Sequence, residues 1–182
     1  RFKAGLFLLS TDPLLVISWF AKNGSRLTAP LMLPDTSTPK TPLPPDMKMR
    51  IDCLVIGKPR FNDPELAKIA ARDGIETAWR QAFQRVRRKA PEGVSGDFAV
   101  ALREPNGRVF LAIDRFAMRT LCYRQVGDQL HFAERADELA DSTTEIDPQA
   151  IFDYLYTHAI PSPRTIFKGV YRVPPAHYVE FE

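Results

Sequence analysis

Cys122 and His131 flank Gly127-Asp128, and a hairpin closed there puts both on one face of a sheet. A thiol beside an imidazole is the raw material of a cysteine nucleophile. Such a pair needs about 3 Å and a third group to orient the base, whereas this spacing makes the two diagonal neighbours about 7–8 Å apart. Ordinary strand residues are the better reading. His158 and His177 have no second ligand at useful spacing, so they read as a helix-end and a loop histidine and not as metal ligands. Cys53 and Cys122 both lie in apolar, strand-like runs and read as buried free thiols, which fits a reducing cytoplasm. Asp114-Arg115 sets an acid beside a base. Internal pairing or the ordering of a loop accounts for it better than catalysis does.

A basic run, Arg80, Arg85, Arg87, Arg88 and Lys89, has no acidic residue between Glu76 and Glu92. Such a patch can attract phosphate or nucleic acid. Cations near a helix C-terminus are favoured by the dipole without any ligand, and no nucleic-acid motif accompanies them. The sequence therefore favours a solvated face over a nucleic-acid partner.

These residues need elements to place them. Phe2 to Leu9 reads as a strand turned by Thr11-Asp12-Pro13, and Leu14 to Phe20 as a second apolar run. Pro30 to Asp46 holds six prolines, which excludes a central strand or helix and predicts a loop. Ile51 to Ile56 is a buried strand ending at Gly57. Asp63-Pro64 opens a helix to about Arg72, and Ile75 to Lys89 carries a helical apolar face ended by Pro91. Phe98-Val100-Leu102 and Val109-Leu111-Ile113 alternate around Asn106-Gly107. A type I′ turn there pairs Leu102 with Leu111 and Val100 with Ile113, and sends all four into a layer between two sheets. Leu121 and Tyr123 face Leu130 and Phe132 in a second hairpin. Asp147-Pro148 opens a helix from about Gln149 to His158, and Tyr178 to Phe181 is the last strand. Strands and helices come in runs, which predicts an α+β fold with antiparallel sheets.

The 182 residues suffice for one domain with one core. The net charge of +3 is small, and the apolar stretch from Ala4 to Phe20 is interrupted by Ser10, Thr11, Asp12 and Pro13. It lacks the ~20 uninterrupted apolar residues of a membrane span, so no membrane partner is expected. The chain opens on Arg1 and not on methionine, so further residues upstream are expected.

Two segments carry a family resemblance. Gly96-Asp97-Phe98-Ala99-Val100-Ala101-Leu102, continued by Leu111-Ala112-Ile113-Asp114-Arg115-Phe116, resembles the "G-x-F-A-F-A-L … L-A-R-D-R-F-G" hairpin of asparagine synthetases. Ile160 to Val170, with Val173-Pro174-Pro175-Ala176-His177-Tyr178, resembles their "P-x-P-x-T-I-F-x-G-I … L-P-P-G-H" ending. The resemblance implies a class II glutamine amidotransferase domain over residues 1–182, with a proline-rich loop at 30–46. The implied fold is two stacked antiparallel sheets flanked by helices, the αββα sandwich of N-terminal-nucleophile hydrolases. It also implies a partner, the chain's own C-terminal synthetase domain, which would bind ATP and magnesium. No cofactor or metal is expected in these residues, and a homodimer is left open.

The same resemblance implies a glutaminase site, and this sequence departs from it. Ala4-Gly5-Leu6-Phe7 fits the "A-G-I-F" after the family's "C-G-I", which puts Arg1 at the nucleophile and Phe2 at the adjacent glycine. Arginine has no nucleophilic lone pair at neutral pH. Ile56-Gly57 fits the oxyanion Asn-Gly, so the glycine survives and the amide donor does not. Asp114, Arg115 and Phe116 are structural members of the motif. No segment matches the elements that clamp glutamine's carboxylate and amino group. The leading reading is the N-terminal half of an ATP-dependent amide ligase without glutaminase activity, as in β-lactam and lasso-peptide macrolactam synthetases. Two others stay open: an active glutamine-hydrolysing asparagine synthetase with its cysteine upstream of Arg1, and a stand-alone binding module.

Overall fold

Apolar residues fill both faces of the strands that follow Gly96, so a layer must lie on either side of them. The computed structural model describes residues 2–6 and 52–182. Arg1 and the proline-rich segment 30–46 fall outside the described residues.

Ten strands and three α-helices occur among those residues. They are β1 (Phe2–Leu6), β2 (Cys53–Gly57), β3 (Arg60–Phe61), α1 (Pro64–Asp73) and α2 (Ile75–Val86). Then come β4 (Val94–Ser95), β5 (Phe98–Arg103), β6 (Val109–Ile113), β7 (Cys122–Val126) and β8 (Gln129–Ala133). Last are α3 (Pro148–Thr157), β9 (Val170–Arg172) and β10 (His177–Phe181). The main sheet runs β1-β10-β6-β5-β2 and a second runs β8-β7-β9, every pairing antiparallel.

Helices α1 and α2 cover one face of the main sheet. Trp79 lies against Phe61 and Phe98, with ring centroids 5.5 and 5.2 Å away, and Phe83 against Phe110 at 4.7 Å. The opposite face packs Ala99, Ala101, Leu111, Ile113 and Val179 against Leu130 and Phe132 of the second sheet and Leu121 just before it. The outer face of that sheet carries Cys122, Ala133 and Val170 against Leu139. The α+β sandwich with antiparallel sheets is as expected.

The helix starts also match, because their cause is local. Asp63 accepts a hydrogen bond from Glu65 N (2.8 Å) and Asp147 one from Gln149 N (2.9 Å), each just before a proline. Helix α2 ends sooner than expected, at Val86, and a 3₁₀ segment follows over Arg87–Gly93. Pro91 has no N–H to continue an α-helix and its ring crowds the carbonyl four residues back.

The β5–β6 register differs from the expected one by a residue. Leu102 pairs with Phe110, Ala101 with Leu111, Val100 with Ala112 and Ala99 with Ile113. Leu111 and Ile113 do enter the layer between the sheets. Leu102 and Val100 instead face the helices. Pro105 explains the slip. A two-residue turn over Asn106-Gly107 would need an N–H from residue 105, which proline lacks. The hairpin closes one residue further out, with Glu104 N donating to Arg108 O (2.8 Å) and Gly107 N to Glu104 O (2.9 Å). Gly107 supplies the positive φ of this three-residue loop.

Candidate functional site

At one end of the main sheet, the last residues of β2 meet the approach to β5. Lys58 N donates to Asp97 O at 2.8 Å. The two segments cross so closely that a Cβ on Gly57 would sit 2.4 Å from Asp97 O, and one on Gly96 2.5 Å from Lys58 O. Both glycines have φ near +90° (95° and 90°). Backbone atoms cannot move aside as a side-chain tip can, so both positions require glycine. Gly57 is thus held by packing, independently of any oxyanion role. Ile56, beside it, packs against the apolar layer between the sheets and offers no side-chain donor.

Asp114 organises the same end. It is 2 % exposed. Its carboxylate accepts from Phe116 N (2.8 Å) and Phe98 N (3.2 Å). Its carbonyl accepts from Ala117 N (3.2 Å) and Ala176 N (3.0 Å), and its N–H donates to Phe98 O (2.9 Å). The expected alternative for Asp114-Arg115 resolves as loop ordering, since the carboxylate binds backbone amides while Arg115 lies over the Phe116 ring at 5.9 Å. Ala117 and Ala176 adopt φ of 49° and 58°, a left-handed conformation that favours glycine.

The sequence missed one charged pair here. Arg119 Nε lies 3.1 Å from Asp97 Oδ2. The hydrogen bond from Arg119 holds the Asp97 carboxyl below its ordinary value. Gly96-Asp97 drew attention only as part of a strand motif, and Arg119 is too far along the chain for a spacing argument to find.

The four positions assigned to the glutaminase pocket do not all gather here. Ile56 and Gly57 sit at the C-terminal end of β2, which is on one edge of the sheet among the described residues. Phe2 pairs with Phe181 on the opposite edge strand, and its row runs through Val109 to Arg103 at the other end of the sheet. Four strand spacings, about 19 Å, separate those edges.

Cys122 and His131 are diagonal neighbours as expected: Cys122 pairs with Ala133, and Arg124 with His131. Burial pushes the Cys122 thiol up to about 11, against a smaller lowering by Arg172. Burial, and then the charges of Arg103 and Arg124, push His131 below its ordinary value. Diagonal placement, about 7–8 Å apart, leaves the thiol out of hydrogen-bond reach of the imidazole, so the two do not make a nucleophile–base pair. Burial likewise pushes Cys53 up to about 11, and both cysteines are free and buried. His158 caps α3 in a left-handed conformation, its N–H donating to Tyr154 O (2.8 Å). His177 Nδ1 lies 2.8 Å from Pro175 O. Within the basic run, Arg85 meets Asp63 at 3.1 Å and Arg87 meets Glu104 at 2.6 Å.

Among the described residues no group of three or more His, Cys, Asp or Glu side chains could hold a metal ion. No helix among them is long and apolar enough to cross a membrane.

Residues 78–182 match a family described as a glutamine amidotransferase domain. The chain is also similar to a protein of Bacillus subtilis (strain 168) named asparagine synthetase [glutamine-hydrolyzing] 1, with 29 % identity over 96 residues. That match covers 51 % of this chain and 15 % of the relative.

Proposed function

Because the chain belongs to the glutamine amidotransferase domain family, we propose that it is the amidotransferase-like part of an asparagine-synthetase-type, ATP-dependent amide ligase, without glutaminase activity of its own. The observation that carries the proposal is the Ile56-Gly57 pair. The glycine is retained for a steric reason, the crossing with Asp97, while its neighbour is a packed isoleucine with no donor. A missing oxyanion donor typically lowers turnover 10²–10³-fold. Arg1 at the nucleophile position removes the covalent route as well, and the placement of Phe2 on the far edge of the sheet supports the same reading. In this proposal ATP and magnesium belong to a synthetase part outside this chain, the amine comes from the substrate, and the protein works in the cytoplasm.

The test is ammonia release from glutamine by the natural full-length protein, with and without ATP, alongside a glutamine-like electrophile that labels N-terminal cysteines. The expected result is background release and no label. Turnover well above background, with label on a residue upstream of Arg1, would replace this reading with an active glutamine-hydrolysing asparagine synthetase.

A further inference from the structure

The tip of the β5–β6 hairpin carries a dipeptide with chemistry of its own, Asn106-Gly107. An asparagine followed by glycine is prone to lose ammonia without an enzyme, because glycine puts no side chain in front of its own nitrogen. The Gly107 nitrogen gives up its proton and attacks Asn106 Cγ. The new N–Cγ bond closes a five-membered succinimide, and the Cγ–Nδ2 bond breaks with Nδ2 leaving as ammonia. Water then opens the ring at either carbonyl. One product is aspartate. The other is isoaspartate, in which the main chain runs through the former side chain and is one carbon longer.

The reacting atoms are open to solvent but tied down. Asn106 and Gly107 are both exposed, and nothing lies within 4 Å of where a Gly107 Cβ would be. The Gly107 N–H, whose proton must be lost, is donated to Glu104 O at 2.9 Å. Asn106 Oδ1 accepts from Arg108 N at 3.0 Å. That second bond polarises the carboxamide toward attack, so protection rests on the first, which holds the proton and fixes the Gly107 peptide plane. Glu104 is itself held twice. Its N–H donates to Arg108 O (2.8 Å), and its carboxylate meets Arg87 Nη1 at 2.6 Å, just past the end of α2.

We propose that Asn106 is a deamidation site gated by the hairpin tip, protected while the Gly107 N–H stays on Glu104 O and reactive when the tip opens. Arg87, through Glu104, is the clamp that sets how often it opens. The strands on either side are buried, so the opening is local, and local opening of an exposed turn is far cheaper than unfolding the domain. The two products differ in consequence. Aspartate leaves the backbone as it was, and its carboxylate can still accept from Arg108 N. Isoaspartate inserts a carbon inside the loop that the Glu104 bonds close, and loosens the start of β6. The reaction consumes only water, so the inference stands independently of the proposed function.

Peptide mapping of the full 182-residue chain, incubated at mildly alkaline pH, tests it. Trypsin releases residues 104–108 as one peptide, separate from Asn23-Gly24, the other Asn-Gly pair in the sequence. A gain of about 1 Da in that peptide marks the reaction. The folded chain should react at least about tenfold more slowly than the same chain unfolded in guanidinium, as expected for a reaction that waits on local opening. Arg87→Ala should raise the folded-chain rate about two- to fivefold, the range of an exposed ion pair, and leave the unfolded rate unchanged. Equal rates in the folded and unfolded chains, or no gain in either, would overturn the proposal. A folded-chain rate unmoved by Arg87→Ala would overturn the clamp. Circular dichroism before digestion confirms that the variant is folded.

Discussion

The β5–β6 hairpin and helix α3 are written in similarly apolar residues and used in opposite ways. In the hairpin every residue of β6, and all but Arg103 of β5, is buried between the helices and the second sheet. In α3 one residue in ten is buried, and polar groups fix the helix in place instead. Asp147 caps it, Arg164 bridges Asp147 and Asp153, and Arg124 ties Leu139 O, Asp141 and Thr144 in the segment leading to it. The hairpin's stability is therefore apolar burial, while α3 is held by directional contacts that leave its apolar face available. That contrast can be broken or sharpened by experiment, most forcefully in the hairpin.

Leu111 is fully buried between the sheets. Leu111→Ala should lower the unfolding free energy by about 2–5 kcal/mol, the range for a packed core leucine. Denaturant titration reads this directly, and a change near zero would contradict the observed register. Gly57→Ala comes next, at roughly 3 kcal/mol, from a backbone collision added to an unfavourable φ. A Gly57→Ala protein as stable as the parent would mean that the β2–Asp97 crossing opens easily.

How much of this was legible beforehand follows from how far apart the causes lie in the chain. The Asp63-Pro64 and Asp147-Pro148 helix starts were readable because cap, proline and first turn are contiguous. Asn106-Gly107 marked its hairpin correctly, but the register turned on Pro105, whose missing N–H moved the closing pair outward. Gly57 was legible as a motif glycine. Its reason, the contact with Asp97 forty residues later, needed the fold. The same holds for Asp114, whose alternatives could be separated only once Phe98, Phe116 and Ala176 were in place. The exposure of α3 was hidden because a helical apolar face reads alike whether or not anything covers it.

Acid should separate the two regions. The Asp141 carboxyl is held near 2, first by the Thr143 hydroxyl, with Thr144 and Arg124 contributing. A depressed carboxyl stabilises the fold above its unfolded value of about 3.9, and that stabilisation is lost as pH falls toward 2. The loss should be at most about 2–3 kcal/mol. Hydrogen exchange of α3 amides should accelerate across that window before β5–β6 amides do. Asp141→Asn should remove most of the difference.

Ala117→Gly tests a smaller strain at the hairpin's end. Alanine in the left-handed region is unfavourable by about 1–2 kcal/mol, and glycine gives back part of the relief as unfolded-chain entropy. The expected gain is about 0.5–1 kcal/mol, read as a raised melting temperature. A loss instead would mean that the Ala117 methyl, which packs against the layer between the sheets, contributes more than its φ costs.

The smallest expected effect sharpens the comparison most. Leu155→Ser removes an apolar side chain about as large as that of Leu111, yet in dilute solution it should change stability by no more than about 0.5 kcal/mol, because little of its surface leaves water when the monomer folds. Denaturant titration of Leu155→Ser beside Leu111→Ala reads the contrast directly. A Leu155→Ser loss approaching that of Leu111→Ala would show that the α3 face is covered when the chain folds, and would end the distinction between the buried apolar hairpin and the exposed apolar helix.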